Sequence, residues 1–261
     1  HFQFVHHEIW NFDTPTAPIL MDLTVDGQAI PAVVQATKQG WLYTFNRLTG
    51  EPVWPIEERE VPASIVPGEV LSPTQPHVTW PEPYSMQGIT EEDLLDFTPE
   101  LKAQSLATME DYVMGGLFNP PIHADNPMGK YAAMNCPGGA GGVNITSPPV
   151  ADPVNNIFYL SEHTACFTLR LIPGEEADLL FPNSTGTTTA QYANSVRGAT
   201  ARTPRHPSGL PIWKPPYSTI VAYDMDTGEK KFTVPTGETP QRYKDAFERA
   251  GVSESVYGNT G

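Results

Sequence analysis

Two stretches of the sequence repeat each other. Residues 42–54, LYTFNRLTGEPVW, return 178 residues later as residues 220–232, IVAYDMDTGEKKF, with seven like-for-like matches in thirteen positions and no gap. Each stretch is typical of a strand, a tight turn at Thr-Gly and a second strand that ends on an aromatic residue. The alternative is two unrelated hairpins that share common turn residues. A recurring supersecondary unit instead predicts a solenoid or a propeller.

The chain around each repeat extends it into a unit of the size of a propeller blade. Upstream of the first repeat, strands joined by Asp-Gly and Gln-Gly turns complete an antiparallel meander. We predict its strands at residues 19–25, 31–37, 41–46 and 51–54, within a first blade over residues 16–56. The second blade is predicted from two pieces, residues 141–162 and 218–235, with its first strands at residues 143–150 and 157–160.

Two long insertions and a connecting helix complete the chain. Residues 57–140 separate the blades, open with a proline-rich run and then favour helix, with Thr98-Pro99 as a helix start. Residues 163–217 interrupt the second blade and are predicted to be a surface excursion. A last helix is predicted over residues 240–250. The predicted fold class is therefore all-β, with two four-stranded antiparallel blades and long, partly helical insertions.

The composition excludes several classes of protein. Of the 261 residues, 30 are Asp or Glu and 15 are Lys or Arg, which leaves a formal net charge of −15. Nucleic acid is bound by clustered cations, so it is excluded as a partner. No stretch of about 18 apolar residues is present, so the sequence predicts no transmembrane helix. The 28 prolines and 21 glycines, which have no period, agree with a β-rich protein that has many turns.

The two cysteines, Cys136 and Cys166, are too few for a disulfide framework or a four-thiolate metal site. They flank the first two predicted strands of the second blade, and an antiparallel hairpin would bring those two ends together. A disulfide bond between them is therefore geometrically possible, and two buried thiols are the alternative.

Four motifs carry a resemblance to a known family. They are residues 6–15, HHEIWNFDTP; residues 31–40, PAVVQATKQG; residues 72–76, SPTQP; and residues 136–144, CPGGAGGVN. Together they resemble the quinoprotein glucose dehydrogenases, which hold pyrroloquinoline quinone (PQQ) on an eight-bladed β-propeller. The resemblance implies that this chain is a fragment with two of the blades, roughly the middle third of the full enzyme. The remaining blades of the parent chain would then be its partners.

The resemblance also implies a reaction and its cofactors. A sugar or alcohol gives a hydride to PQQ, a carboxylate takes the hydroxyl proton, and a divalent cation, Ca²⁺ or Mg²⁺, polarises the quinone. The family's lysine beside the quinone oxygen matches Lys38, which would otherwise be interpreted as a solvated turn lysine. The cation ligands are expected mostly outside this chain. Asn259 is expected to contact the cofactor.

The catalytic carboxylate is where the sequence departs from the family. The usual Asp is replaced by Asn11, whose neutral amide cannot act as a base near neutral pH. Asp13 lies two residues further, on the same face of an extended strand, and Glu8 is also close in sequence. The alternative for Asp13 is a turn-capping role before Thr14-Pro15. Three cases stay open: another carboxylate is the base, the reaction has changed, or the protein is inactive.

Two functions are consistent with these residues. The first is a PQQ-dependent glucose or alcohol dehydrogenase, with Lys38, Asp13 and Asn11 as catalytic residues, Lys38, Asn11 and Asn259 against the cofactor, and no metal ligand assigned. The second is a non-catalytic propeller scaffold that has lost its carboxylate. The family implies a periplasmic location, a quinone or other electron acceptor, and any membrane anchor in an N-terminal segment absent from this chain. The isolated chain is expected to be inactive, because two blades form only part of a cofactor cavity.

Overall fold

The computed structural model describes residues 1–138, 143, 148–174, 192–194 and 203–261, and it is built mainly from strands. The strands are, in chain order, β1 (Ile19–Val25), β2 (Gln28–Ala36), β3 (Leu42–Asn46), β4 (Ile56–Glu60), β5 (Thr74–Val78), β6 (Gly88–Ile89), β7 (Tyr112–Val113), β8 (Gly115–Gly116), β9 (Ile122–His123), β10 (Ala132–Asn135), β11 (Val150–Asp152), β12 (Ile157–His163), β13 (Phe167–Pro173), β14 (Tyr192–Asn194), β15 (Ser218–Asp224) and β16 (Lys230–Pro235). The helices are a 3-10 helix at Glu91–Asp93, α1 (Pro99–Met109), α2 (Gln241–Arg249) and α3 (Glu254–Tyr257). None of these described helices combines the length and the apolar character needed to cross a bilayer.

The first sheet contains β1, β2 and β3, each antiparallel to the next. Its side chains alternate as a strand requires, so that Met21 and Leu23 of β1 are buried and Asp22 between them is exposed. The fourth strand predicted at residues 51–54 is wrong: only an isolated bridge pairs Phe45 with Pro52. Two ladder bonds do form, from the Asn46 N–H to the Glu51 carbonyl and from the Val53 N–H to the Thr44 carbonyl, both at 2.8 Å. The next residue in line to donate is Pro55, which has no N–H, so the ladder does not extend into a strand.

The second sheet orders its strands β11, β12, β15 and β16, all antiparallel to their neighbours. Two of its strands, β11 and β12, end by His163, and the other two, β15 and β16, begin at Ser218 after the second insertion. The first strand predicted at residues 143–150 is misplaced, because the strand is β11 and includes Asp152 of the predicted turn. Asp152 ends the strand and also caps the turn, since its carboxylate accepts the Val154 N–H at 2.9 Å. Residues 144–147 of that prediction lie outside the described residues.

The repeated turns have matching hydrogen bonds in the two sheets. After β3, the Gly50 N–H donates to the Asn46 carbonyl at 2.8 Å, and after β15 the Gly228 N–H donates to the Asp224 carbonyl at 2.7 Å. The φ angles of the two glycines are 81° and 76°, in the left-handed region that glycine adopts without strain. The sequence repeat is therefore a structural repeat.

The two sheets pack face to face around a shared core. Its buried residues come from both sheets: Met21, Leu23, Ala32, Val34, Leu42, Phe158, Leu160, Val221 and Tyr223. Trp54 reaches across to the turn after β15, where its Cζ2 atom lies 3.2 Å from the position that a Cβ on Gly228 would take. Trp80 covers the same turn and donates its Nε1–H to the Thr227 carbonyl at 2.8 Å. The aromatic residue that ends the first repeat therefore docks one sheet against the other.

The two insertions meet in a third, mixed sheet. In it β10 and β13 pair antiparallel, β7 pairs parallel with β10, β9 pairs parallel with β13, and β14 lies beside β13. The surface excursion predicted for residues 163–217 is therefore wrong for β13, whose Leu169 and Ile172 are buried. β13 is buried because it pairs with β10 and β9 of the first insertion, so that each insertion provides the strand edge and the apolar face that the other needs.

A disulfide bond joins the two insertions. Cys136 directly follows β10 and Cys166 directly precedes β13, and these strands are antiparallel neighbours. The two cysteines are bridged, with their Cα atoms 4.6 Å apart. Of the two alternatives that the sequence leaves open, the structure has the disulfide bond and not two thiols, and β10 and β13 bring the cysteines together, not the hairpin of the second sheet.

The helices form a small core of their own beside the sheets. α1 begins with the predicted cap, because Thr98 Oγ1 accepts the Leu101 N–H at 3.2 Å and a proline occupies the first turn. Leu101 packs in the same cluster as Phe247 of α2 and Tyr257 of α3. The last two rings stack with their centroids 4.0 Å apart.

The two repeated glycines provide a matched test of how the sheets dock. Gly50→Ala should cost about 1–2 kcal/mol of left-handed strain, because nothing lies within 4 Å of the added Cβ. Gly228→Ala adds a clash with Trp80 Nε1, 2.1 Å from that Cβ, and should lower the free energy of unfolding by about 2 kcal/mol more. Urea unfolding of both variants measures the difference. Equal losses would show that the tryptophans do not dock on this turn.

Reduction of the disulfide bond should destabilise the protein. The bond spans 30 residues of sequence, and restricting the unfolded chain by a loop of that size contributes about 3.6 kcal/mol to the free energy of unfolding. We expect thiol titration of the unfolded, unreduced protein to find no free thiol, and a reductant to lower the midpoint of thermal unfolding. The double variant Cys136→Ala, Cys166→Ala is the control and should not respond to the reductant. Two reactive thiols before reduction would contradict the bridge.

Candidate active site

The turn between β2 and β3 is buried, unlike an ordinary hairpin turn. Residues 37–41 join the two strands, and a loop at residues 84–87 covers them. Tyr84 of this loop donates its N–H to the Gly40 carbonyl at 2.8 Å. Glycine is required at this close approach, because φ of Gly40 is 84° and an added Cβ would lie 3.0 Å from the Ser85 Cβ.

The side chain of Lys38 lies inside this turn, and the residue is only 4% exposed. Its ammonium group donates to the backbone carbonyl of Asn11 at 3.0 Å and forms an ion pair with the carboxylate of Asp13. A charge taken out of water needs such partners. The alternative of a solvated turn lysine is therefore wrong. Of the predicted site residues, Asp13 and Asn11 both contact the Nζ atom of Lys38, Asp13 through its carboxylate and Asn11 through its backbone oxygen.

The segment that supplies these partners alternates between the core and the site. Trp10 and Phe12 are buried and stack with ring centroids 6.2 Å apart. The Trp10 indole N–H also donates to the Asn119 carbonyl at 2.9 Å, which fixes the ring. Because Trp10 and Phe12 point inward, Asn11 and Asp13 lie on the accessible side. The side chain of Asp13 is 59% exposed and keeps its carboxylate open to solvent while it contacts the lysine.

Gln75 fixes the start of the same segment, and the sequence motifs did not assign it this role. Its side chain is fully buried, with Oε1 accepting the His6 N–H at 2.8 Å and Nε2 donating to the His6 carbonyl at 2.7 Å. The amide thus pairs with His6 as a neighbouring strand would. Gln75 belongs to the SPTQP motif, which was the only sequence signal that pointed to it.

The other polar residues of the segment have partners away from the lysine. Glu8 accepts the Trp10 N–H at 2.6 Å through its carboxylate. The His6 Nε2 atom lies 2.9 Å from Glu58, whereas the His7 Nδ1 atom lies 3.0 Å from a backbone carbonyl of the first insertion. The neighbouring histidines therefore face different partners. Asp13, and not Glu8, is the carboxylate that the structure brings to the lysine.

A second carboxyl group, that of Glu162, is buried behind the turn, and no sequence motif indicated it. It is 3% exposed and accepts hydrogen bonds from the hydroxyl groups of Ser85 at 2.7 Å, Thr164 at 3.0 Å and Thr219 at 3.4 Å. Burial raises the pKa of Glu162 above its ordinary value, although these hydroxyl groups favour the charged form. Since Ser85 belongs to the loop that covers Lys38, Glu162 supports the turn from the second sheet.

Asn259 holds the C-terminal segment against residues 237–239 through hydrogen bonds. Its Nδ2 atom donates to the Gly237 carbonyl at 2.7 Å, and its Oδ1 atom accepts the Thr239 hydroxyl at 3.3 Å. Both ends of the amide are engaged in this contact, and the cofactor contact expected of Asn259 stays a prediction. In the glycine-rich motif after Cys136, residues 139–142 and Asn144 lie outside the described residues.

Residues 1–259 match the family PQQ, described as glucose/ethanol/alcohol dehydrogenase, beta-propeller domain. This chain belongs to that family. The quinoprotein resemblance carried by the four motifs is therefore confirmed, and the Lys38 cluster lies within the matched β-propeller domain.

Several relatives of this quinoprotein chain are similar over most of its length. Quinate/shikimate dehydrogenase (quinone) of Acinetobacter baylyi is 28% identical over 243 residues, which are 90% of this chain and 29% of that protein. The glycerol dehydrogenase large subunit of Gluconobacter thailandicus is 30% identical over 88% of this chain and 32% of its own. Quinoprotein glucose dehydrogenase of Escherichia coli is 28% identical over 92% of this chain and 30% of its own. The chain thus spans about a third of the length of the curated relatives it matches.

Glu162 should make the stability of this quinoprotein chain depend on pH. Because its folded-state pKa is raised above the unfolded value, the folded protein binds the proton more tightly. The stabilisation is full below about pH 4.3 and is lost as the pH rises through the folded-state pKa. Glu162→Gln removes this dependence, so we expect the variant to become more stable relative to the wild type as the pH rises from about 4 to about 8.

Urea unfolding at a series of pH values measures this difference. Glu60→Gln, which removes one negative charge at an exposed strand end, is the matched control and should follow the wild type. Parallel curves for wild type and Glu162→Gln would contradict the raised pKa.

Proposed function

We propose that this chain is part of a PQQ-dependent dehydrogenase that oxidises a sugar or an alcohol by hydride transfer to the quinone. The observation that carries the proposal is the buried Lys38 ammonium held against the Asp13 carboxylate. A positioned cation and a positioned carboxylate are the two groups that this oxidation needs from the protein. The names of the relatives refer to quinate or shikimate, glycerol and glucose, which all carry hydroxyl groups and support this substrate class.

The residues of the site fit the cofactor. Within the described part of the chain, Asn11 and Asp13 occupy two of the three N–H donors of the Lys38 ammonium, which leaves the third for a quinone oxygen. The Oε1 atom of Gln39, the next residue, is buried without a hydrogen-bond partner among the described residues. A buried acceptor of this kind requires a donor from a bound group or from water. The two residues thus offer a donor on Lys38 and an acceptor on Gln39.

Each residue has a distinct part in the proposed reaction. When bound, PQQ supplies the quinone carbon that accepts the hydride. Lys38 places positive charge where negative charge develops, and its contacts orient it before the reaction begins. Asp13 accepts the substrate hydroxyl proton on a carboxylate oxygen. Asn11 orients the lysine through its carbonyl group and does not act as the base.

A divalent cation, Ca²⁺ or Mg²⁺, is the second cofactor that we propose. Among the residues that the structure describes, no group of three or more His, Cys, Asp or Glu side chains could hold a metal ion. We therefore propose that most of its ligands lie in blades outside this chain.

We propose that the two sheets are two blades of an eight-bladed propeller, completed by the remaining blades of the parent chain. The apolar outer face of β16 supports further blades, because Phe232 and Val234 are 42% and 44% exposed without them. The disulfide bond supports an oxidising compartment, and we propose the periplasm. A quinone or another acceptor would take the electrons, and any membrane anchor would belong to a segment outside this chain.

The alternative function is a non-catalytic propeller scaffold. The observation that favours it is Asn11, which stands where the family has its carboxylate. The rest of the parent sequence discriminates between the two functions. Absence of the cation ligands and of the tryptophan that stacks on PQQ would favour the scaffold.

The identity of the base is tested in the full-length protein loaded with PQQ and Ca²⁺ or Mg²⁺. Asp13→Asn should lower kcat by about 10²–10⁴-fold, the usual contribution of a positioned general base, while Asn11→Asp should change it little. The matched control is Asp22→Asn, which removes an exposed carboxylate paired with Arg47 and should leave kcat unchanged. Dye-linked oxidation of a panel of sugars and alcohols measures all of these variants.

The outcomes separate the open cases. A higher kcat for Asn11→Asp, with little effect of Asp13→Asn, would place the base at position 11. No effect of either variant would place the base elsewhere. A wild-type protein that binds PQQ but oxidises none of the panel would support the scaffold.

A further inference from the structure

The second insertion, residues 163–217, contains a cavity of about 280 Å³. Its described wall consists of residues 163–166, at the end of β12, of several residues between 203 and 217, before β15, and of Tyr243 of α2. His163 and Arg205 of this wall are exposed, so the cavity opens to solvent on their side. Its volume is near the lower end of the range of ligand pockets and leaves room for a small organic molecule.

Two residues of the wall carry polar atoms without a partner. The Nε1 atom of Trp213 and the hydroxyl group of Tyr217 are buried, and neither has a hydrogen-bond partner among the described residues. The two residues are 9% and 4% exposed. Buried polar groups are nearly always paired, because a donor removed from water without a partner is destabilising. Since both residues line the cavity, a molecule bound there can supply the missing partners.

Loose packing does not explain the unpaired hydroxyl group. Tyr223, six residues further along β15, is also buried and donates its hydroxyl to the Glu82 carbonyl at 2.7 Å. Tyr217 is equally well held, because its backbone carbonyl accepts the Thr164 N–H at 2.8 Å. Its ring also packs edge-on against that of Tyr243, with the centroids 5.2 Å apart. The fold therefore fixes Tyr217 at the cavity.

The wall is rich in hydrogen-bond donors. An indole nitrogen is only a donor, and the guanidinium group of Arg205 has five N–H donors and no acceptor. Burial raises the pKa of Tyr217, so its hydroxyl group keeps its proton and can also donate. None of the described residues of the wall is Asp or Glu, although the chain has 30 acidic and only 15 basic residues. Such a wall favours a ligand with negatively charged acceptor oxygens.

The arginine of the wall belongs to a turn that the fold holds in place. Arg205 and Pro211 form an isolated β-bridge, and between them the His206 N–H donates to the Leu210 carbonyl at 3.2 Å. The ring of His206 is buried, and its Nε2 atom lies 3.2 Å from the Leu101 carbonyl of α1. The backbone of Arg205 is therefore ordered before any ligand binds, which lowers the entropic cost of binding.

One carboxyl group, that of Glu162, contacts the wall without lining the cavity. It is 3% exposed and accepts the hydroxyl groups of Ser85, Thr164 and Thr219, of which Thr164 is a residue of the wall. Burial raises the pKa of Glu162, which reduces the negative charge that an anion in the cavity would meet. Glu162 is thus satisfied within the fold and does not compete for the donors of the wall.

We infer that this cavity is a binding site for a small organic carboxylate. Arg205, Trp213 and Tyr217 provide the donors for the carboxylate oxygens. The rings of Tyr217 and Tyr243 provide apolar surface for the organic part of the molecule. The inference goes beyond the proposed function and does not depend on it, because it needs neither PQQ nor a reaction.

Two probes that differ in charge test the inference. Benzoate and benzamide have nearly the same size and shape, but only benzoate carries a negative charge. Isothermal titration calorimetry measures the binding of each probe to the full-length protein, with and without PQQ. We expect benzoate to bind about tenfold more tightly than benzamide or better, because charge-assisted hydrogen bonds are the stronger ones. PQQ should not change either Kd.

Variants of the wall locate the bound probe. Arg205→Gln removes the cation and should raise the Kd for benzoate by about tenfold or more. Tyr217→Phe removes one donor and keeps the ring, so it should raise this Kd by about two- to tenfold. Its Tm without a probe should be unchanged or higher, because no hydrogen bond of the fold is lost.

The indole group of Trp213 gives a direct signal. In protein labelled with ¹⁵N-tryptophan, its N–H resonance is the one that is missing from the spectrum of Trp213→Phe. Benzoate should shift this resonance and benzamide should shift it less, since the unpaired N–H gains a charged acceptor.

Two matched controls remove similar groups outside the cavity. Tyr223→Phe removes a buried hydroxyl group that is paired, so it should lower the Tm and leave the Kd for benzoate unchanged. Arg249→Gln removes an exposed positive charge of α2, and its Kd for benzoate should equal the wild-type value.

Each other outcome overturns a defined statement. Equal affinities for benzoate and benzamide, or inorganic phosphate that binds as tightly as benzoate, would overturn the choice of an organic carboxylate. No binding of benzoate, or binding that neither Arg205→Gln nor Tyr217→Phe weakens, would overturn the site. If Tyr217→Phe does not fold, Arg205→Gln, at an exposed residue, is measured against the same criterion. The proposed function fails separately, if the wild-type protein binds no PQQ.

Discussion

The burial of one ammonium group constrains the structure around it. Lys38 is 4% exposed in the turn between β2 and β3, and a charge in that position is stable only where acceptors reach it. Those acceptors come from Asn11 and Asp13, 27 and 25 residues earlier in the chain. The N-terminal segment must therefore be held against the first sheet, and the burial of Trp10 and Phe12 does this. The site exists because apolar packing brings opposite charges together.

The repeated hairpin could be predicted from the sequence because its structure is local. A Thr-Gly turn with left-handed glycine depends on its own residues, and Gly50 and Gly228 have the same conformation. The mixed sheet of the insertions could not be predicted, because its short strands pair across two segments and no period within either segment records that pairing. The strand expected at residues 51–54 failed for a third reason: its composition suited a strand, but Pro55, the next ladder donor after Val53, has no N–H.

In the site, the charged residues could be predicted and their supports could not. The motifs pointed to the lysine and to the carboxylate that pairs with it. Gln75 contacts His6 from 69 residues away, and Ser85 contacts Glu162 from 77 residues away. These are ordinary polar residues whose partners are set only by the folded chain, so a single sequence has no pattern that marks them. Glu162 in particular owes its raised pKa to burial, which no local motif records.

The resemblance implies an aspartate at the position of Asn11, and the backbone at this position accommodates either residue. φ of Asn11 is 64°, in the left-handed region where Asn and Asp are the non-glycine residues accommodated most readily. Its contact with Lys38 is made by a backbone carbonyl, which either residue would supply. The lysine therefore keeps its position with asparagine at residue 11. Under the proposed function, an asparagine at residue 11 cannot take the proton, and Asp13, already in contact with the same ammonium group, is the carboxylate that we propose in its place.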